Sequence, residues 1–200
     1  MKLTRPLLGQ ASTALAGMLD FAGPADEALS RYFRAHRALG RQDRAFIAEA
    51  IFAVLRRKRS LAAAVGSEEP RALLIAALVR VLGFSGRSLE EVLKPGEAEL
   101  VARAKAFRLE AQAPALRADL PDWLWDRLAA EQGAEEAMRI AQALLNPAPL
   151  DLRVNLARTD REAVLAGLAA DGLQGAATPY SPAGIRLPGK PAINRHPLFA

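Results

Sequence analysis

Apolar residues recur at helical spacing through the first three quarters of the chain and switch to strict alternation near its end. Leu8, Ala11, Leu15, Met18 and Leu19 share one face and predict a helix over about residues 6–20, broken by Gly23 and Pro24. A second helix carries Ala28, Leu29, Tyr32 and Phe33 inward and ends near Gly40. Ile47, Ile51, Val54 and Leu55, with Ala50 between, form the stripe of a third. Asp43 stands near its N-terminus, where a carboxylate offsets unpaired N–H groups. Residues 66–70 read as a turn. The stretch 71–82 is then apolar nearly all round, which is the pattern of a helix buried at the centre of a bundle.

Gly83 and Gly86 bracket its end, and Ser88-Leu-Glu-Glu91 reads as a capping box for a short helix. Another helix is expected over 97–108. The pattern weakens over 109–120, a candidate linker or domain edge. Pro121 and Asp122 start a helix carrying Trp123, Leu124, Trp125 and Leu128. A further helix spans about 134–145 and is stopped by Asn146-Pro-Ala-Pro149. Leu150, Leu152, Val154 and Leu156 then alternate with Asp151, Arg153 and Asn155, which predicts a strand with one buried face. Thr159-Asp-Arg-Glu162 reads as a second capping box, opening a helix to about Ala170. Two short strands over 175–180 and 184–187 flank a Ser181-Pro182 turn. The fold expected is mostly α: a helical bundle followed by a small β-α-β-β segment. The domain boundary is placed at 112/113, giving units of 1–112 and 113–200.

Charge sharpens this picture. Residues 31–60 hold nine basic side chains (Arg31, Arg34, Arg37, Arg41, Arg44, Arg56, Arg57, Lys58, Arg59) against Asp43 and Glu49. That surplus of seven exceeds the +5 of the whole chain, so the excess positive field lives here. A helix that buries one stripe and shows arginines at both ends suits a polyanion. The plain alternative is a solvated face in an arginine-rich chain.

Other chemistry is narrowed by what the chain lacks. With no cysteine there is no disulfide, thiolate zinc site or cysteine nucleophile within these residues, and two histidines 160 positions apart do not suggest a metal. His36 and His196 are read as surface polar groups. Asp43 and Arg44 are read as a local cap or ion pair inside the bundle. Trp123 and Trp125 could stack on bases, but their spacing with Leu124 and Leu128 reads as core and domain contact. Gly184-Ile-Arg-Leu-Pro-Gly189-Lys190 has the spacing of a phosphate-binding loop, yet Pro191 replaces the hydroxyl residue and two prolines prevent the following helix. At the N-terminus Gln10, Ser12 and Thr13 interrupt the apolar run, which reads as an amphipathic helix rather than a signal peptide. The longest apolar run, 73–79, is too short to span a bilayer. A cytoplasmic protein is expected, with no membrane partner.

Several of these stretches together resemble one family. Arg41-Gln-Asp-Arg44 leading into Ile51-Phe-Ala-Val-Leu-Arg56 is similar to the core of a NusB-type RNA-binding helical domain. The ordered series Pro121-Asp-Trp-Leu124, Asn146-Pro-Ala-Pro149 and Leu152-Arg-Val-Asn155, with Asn194-Arg-His-Pro-Leu-Phe199 after it, resembles the region before the catalytic domain of RsmB/Sun-type 16S rRNA cytosine-5 methyltransferases. The resemblance implies a NusB-like bundle that binds small-subunit rRNA and positions it for methylation. Its phosphate contacts would come from Arg34, Arg37, Arg41, Arg56, Arg57 and Arg59, joined by Arg153. In that family S-adenosylmethionine and two catalytic cysteines belong to a following domain. No catalytic, cofactor-binding or metal-binding residue is therefore assigned here, and the 200 residues are expected not to be catalytic by themselves. The rival readings are a free-standing NusB-like antitermination or ribosome-assembly factor and a helical protein-interaction adaptor.

Overall fold

The computed structural model describes residues 3–189, 191, 193 and 196–199. Among them are eleven α-helices and three β-strands, and the chain divides into two compact units after Leu145. The division coincides with Asn146-Pro-Ala-Pro149; it does not coincide with the boundary expected at 112/113.

The first unit is helical. Helix α1 (Arg5–Ala16) is capped by the Thr4 hydroxyl, which accepts from the Leu7 N–H at 3.3 Å, and buries Leu7, Leu8, Ala11, Ala14 and Leu15. Helices α2 (Ala25–Ala35) and α3 (Arg41–Arg56) follow. Helix α4 (Lys58–Val65) ends at Gly66, whose φ of 67° is the left-handed conformation that costs glycine least. Helix α5 (Pro70–Arg80) has seven consecutive buried residues, from Ala72 to Leu78, and packs against α1, α3, α4 and α7 (Ala98–Ala106). It is the centre that the all-round apolar pattern predicts. Burying each of Leu73, Leu74, Ile75 and Leu78 contributes about 1.5–3 kcal/mol, so this helix anchors the bundle.

Two local expectations change here. The basic segment is two helices, because the backbone leaves helical geometry at Arg57 (φ −130°, ψ 28°). Helix α6 (Gly86–Leu89) is capped by Ser85, not Ser88: the Ser85 hydroxyl accepts from the Ser88 N–H at 3.1 Å.

The segment 109–120 is packed rather than a linker. It holds a 3-10 turn (Leu109–Ala111) and helix α8 (Pro114–Arg117). Its Ala115 and Ala118 form a small core with Trp125 of α9 (Asp122–Gln132) and with Ala137 and Ala141 of α10 (Ala134–Leu144). Small side chains carry this packing, and alanine spacing alone is a weak sequence signal.

The second unit runs β1 (Leu150–Arg153), α11 (Arg161–Ala170), β2 (Ala176–Ala177) and β3 (Gly184–Leu187), the expected β-α-β-β order. The sheet is antiparallel throughout, in the order β1-β3-β2, with Leu150 opposite Leu187 and Leu152 opposite Ile185. Leu150, Leu152 and Val154 face a core of Leu168, Ile185 and Leu187. On the other face Arg186 grips its register partner Asp151 through two 2.8 Å bonds, which hold that carboxyl below the usual range. The strand stops at Arg153, so Leu156 is exposed rather than inward. Helix α11 is capped by Asp160, which accepts from the Ala163 N–H at 2.7 Å, and not by Thr159. Among the described residues no helix is long and apolar enough to cross a membrane.

Candidate nucleic-acid interface

The arginines of the basic segment fall into two groups. The first lies where α2 turns into α3. Arg34 closes α2, Arg37 sits in the turn and Arg41 opens α3. All three are exposed, and no side-chain hydrogen bond or ion pair joins their guanidinium groups to any described residue. The corner that presents them is braced from beneath. The Arg44 Nε donates to the Leu39 carbonyl at 2.9 Å, with its guanidinium 5.7 Å from the Phe33 ring centre. The Asp43 carboxylate accepts from the Gly40 N–H at 3.1 Å. Asp43 and Arg44 thus have the local roles expected of them. His36 stacks on Tyr32 at 4.0 Å, and its Nδ1 lies 2.9 Å from the Tyr32 carbonyl oxygen. Tyr32 in turn donates to Gln10, which ties the corner to α1. His36 is a packing group.

The second group lies at the break between α3 and α4 and is largely committed inside the protein. Arg59 donates to the Leu120 carbonyl and pairs with Asp122 at 2.9 Å. Arg56 donates to the Phe52 carbonyl at 3.1 Å and lies 5.8 Å from the Phe52 ring centre. Burial, then the charge of Arg57, lowers its pKa. Arg57 is half-buried and lines a cavity of about 230 Å³ with Ser60, Arg80 and Asp119. The break itself is held by Asp119. Its carboxylate accepts from the Ser60 N–H at 2.7 Å and from the Ser60 hydroxyl at 2.6 Å, capping α4 from 59 residues away. Burial pushes the Asp119 carboxyl up, against the pull of the Ser60 bonds and the charges of Arg57 and Arg59. Nothing local in the sequence marks this pair.

Arg153, on β1 in the second unit, is exposed, and its side chain has no hydrogen-bond or ion-pair partner among the described residues. The two tryptophans part company. Trp125 is core at 8% exposure, whereas Trp123 is 67% exposed and so is not core, the first half of the core-or-domain-contact reading. Of the acids beside Trp123 on α9, Asp122 is engaged by Arg59 and Asp126 is exposed. His196 is not a loose surface group. Its Nδ1 accepts from the Leu198 N–H at 3.3 Å, and its Nε2 lies 3.0 Å from an Asp171 carboxylate oxygen. Among the described residues no group of three His, Cys, Asp or Glu side chains could hold a metal ion. The Gly184–Leu187 part of the phosphate-loop spacing is strand β3; Lys190 lies outside the described residues.

Residues 120–194 match the family model described as the ferredoxin-like domain of RsmF/B-like methyltransferases. A solved structure titled "Crystal Structure of PH0851" is similar over 100% of this chain, with a TM-score of 0.65 and 14% identity. At that identity the likeness is one of fold. The chain spans 52% of that structure's length. No curated protein matches the chain by sequence.

Proposed function

We propose that these residues are the RNA-holding, substrate-positioning part of a cytoplasmic S-adenosylmethionine-dependent rRNA cytosine-5 methyltransferase. The match of 120–194 to a methyltransferase-associated domain supports the enzyme class. The observation that carries the RNA role is the corner of Arg34, Arg37 and Arg41, three exposed guanidinium groups in eight residues with no protein partner among the described residues. A guanidinium left in water beside a braced corner is ready to take a phosphate oxygen at no cost to a bond already made. Such contacts fix register and orientation rather than sequence. Small-subunit rRNA is the substrate this reading names. The helical unit is read as NusB-like. The methyl-transfer chemistry, its cofactor and its cysteines belong outside these 200 residues, which contain no cysteine.

The test is the salt dependence of binding to a small-subunit rRNA fragment. Each neutralised phosphate adds roughly 0.7 to 0.9 to the slope of log K against log salt. Replacing Arg34, Arg37 and Arg41 together by Gln is expected to flatten that slope by about 2 to 3 units. Gln is nearly as good a helix former as Arg, so the helices persist. A folded triple variant with unchanged affinity and slope would remove this corner from the RNA site and favour the adaptor reading.

A further inference from the structure

We infer that the hairpin joining β2 to β3 is a second RNA contact, in which Tyr180 stacks on an unpaired base while Arg153 holds a neighbouring phosphate. The inference rests on the RNA-binding reading above and adds a site in the second unit. Tyr180 is 98% exposed, the most exposed large apolar side chain among the described residues. Nothing among the described residues holds its ring, yet the turn beneath it is firmly built. The Ser181 carbonyl accepts from the Gly184 N–H at 3.2 Å, the Arg161 guanidinium at 3.2 Å and the Thr178 hydroxyl at 3.4 Å. Pro179 and Pro182 fix φ on either side of the Tyr-Ser pair. Gly184 closes the turn because it has no side chain: a methyl there would lie 2.0 Å from the Thr178 hydroxyl oxygen. A rigid turn that presents an unsupported aromatic ring loses little entropy when the ring is covered.

Charge selects what covers it. Arg153 is the register partner of Gly184, so its guanidinium belongs to the same end of the sheet as the hairpin. Arg153 lines a hollow there with Asn155 and with Ala183 of the hairpin. The acids nearby are occupied: Asp160 caps α11, and Glu162 lies 3.4 Å from Arg161. A bare aromatic and an exposed arginine at one end of a sheet fit single-stranded nucleic acid, since every base has a face to stack and every linkage a phosphate.

The experiment compares the full chain and its variants for binding to a labelled single-stranded RNA and to a blunt RNA duplex. Tyr180→Ala is expected to weaken single-strand binding about ten-fold and leave the duplex unchanged. Its salt slope stays put, because stacking releases no counterions. Tyr180→Phe is expected to bind as the wild type does, and Arg153→Gln to lower the single-strand slope by about 0.7. A uridine photocrosslink to the Tyr180 peptide supplies the positional check. Unchanged single-strand binding by Tyr180→Ala, in a chain still sensitive to Arg34, Arg37 and Arg41, overturns this site and leaves the proposed function standing. Loss by Tyr180→Phe equal to that of Tyr180→Ala overturns stacking. Failure of the wild-type chain to bind either probe overturns both readings.

Discussion

Arg71 and Glu97 face each other with little water around them. The Arg71 Nε donates to one Glu97 oxygen at 2.5 Å and a terminal nitrogen to the other at 2.9 Å, while the Lys94 N–H adds a 2.7 Å bond. Burial pushes the Glu97 carboxyl up, but the bonds from Arg71 and Lys94 outweigh it and hold the pKa below its ordinary value. A depressed folded pKa contributes stability that is present above the unfolded value and lost as pH falls through the folded one. Denaturant melts should therefore show wild type and Glu97→Gln converging as the solution is acidified from neutral. Parallel curves would mean the pair contributes nothing that depends on ionisation. Arg71→Met strands the carboxylate and should cost about 3–5 kcal/mol. At this scale the sequence was a poor guide to which arginines are available. Arg59 and Arg41 look alike in the chain; what separates them is Leu120 and Asp122, some sixty residues away. Arg59→Gln is accordingly expected to lower the melting temperature while leaving the RNA salt slope where it was.

The break between α3 and α4 depends on one distant carboxylate. Asp119→Ala removes an N-cap and should destabilise the protein by about 1–2 kcal/mol, measured by urea unfolding. Its pH dependence has the opposite sign to that of Glu97. The folded pKa of Asp119 is raised, so its contribution is fully present below the unfolded pKa and declines as pH rises through the folded one. Elements were legible wherever periodicity was strong: the uninterrupted apolar face of α5 and the Leu150–Leu152–Val154 alternation both translate directly into burial. Caps were legible in kind but not in position. Ser85 and Asp160, rather than Ser88 and Thr159, accept the amide bonds, because several small polar residues compete at each helix start and only backbone geometry chooses among them.

For the molecule as a whole, protection from amide exchange should be graded. The amides of α5 are expected to exchange slowest, since its turns are enclosed by four other helices, and those of the two-residue strand β2 among the fastest. Equal protection in both would mean that something outside these residues covers the sheet. Incubated with labelled S-adenosylmethionine and small-subunit rRNA, the chain is expected to transfer no label to cytosine; transfer above background would refute the placement of the chemistry elsewhere. The β-α-β-β order and the helical bundle were both readable from pattern. The packing of 109–120 was not, because its contacts are made by alanines and by an aspartate whose partner lies in another part of the bundle. That partnership also has a meaning in time. Chains emerge from the ribosome N-terminus first, at about 5–20 residues per second. Residue 119 therefore follows residue 60 by about 3–12 seconds. Through that interval the first turn of α4 waits without its cap, and the nascent bundle cannot finish its basic flank until Asp119 has been made.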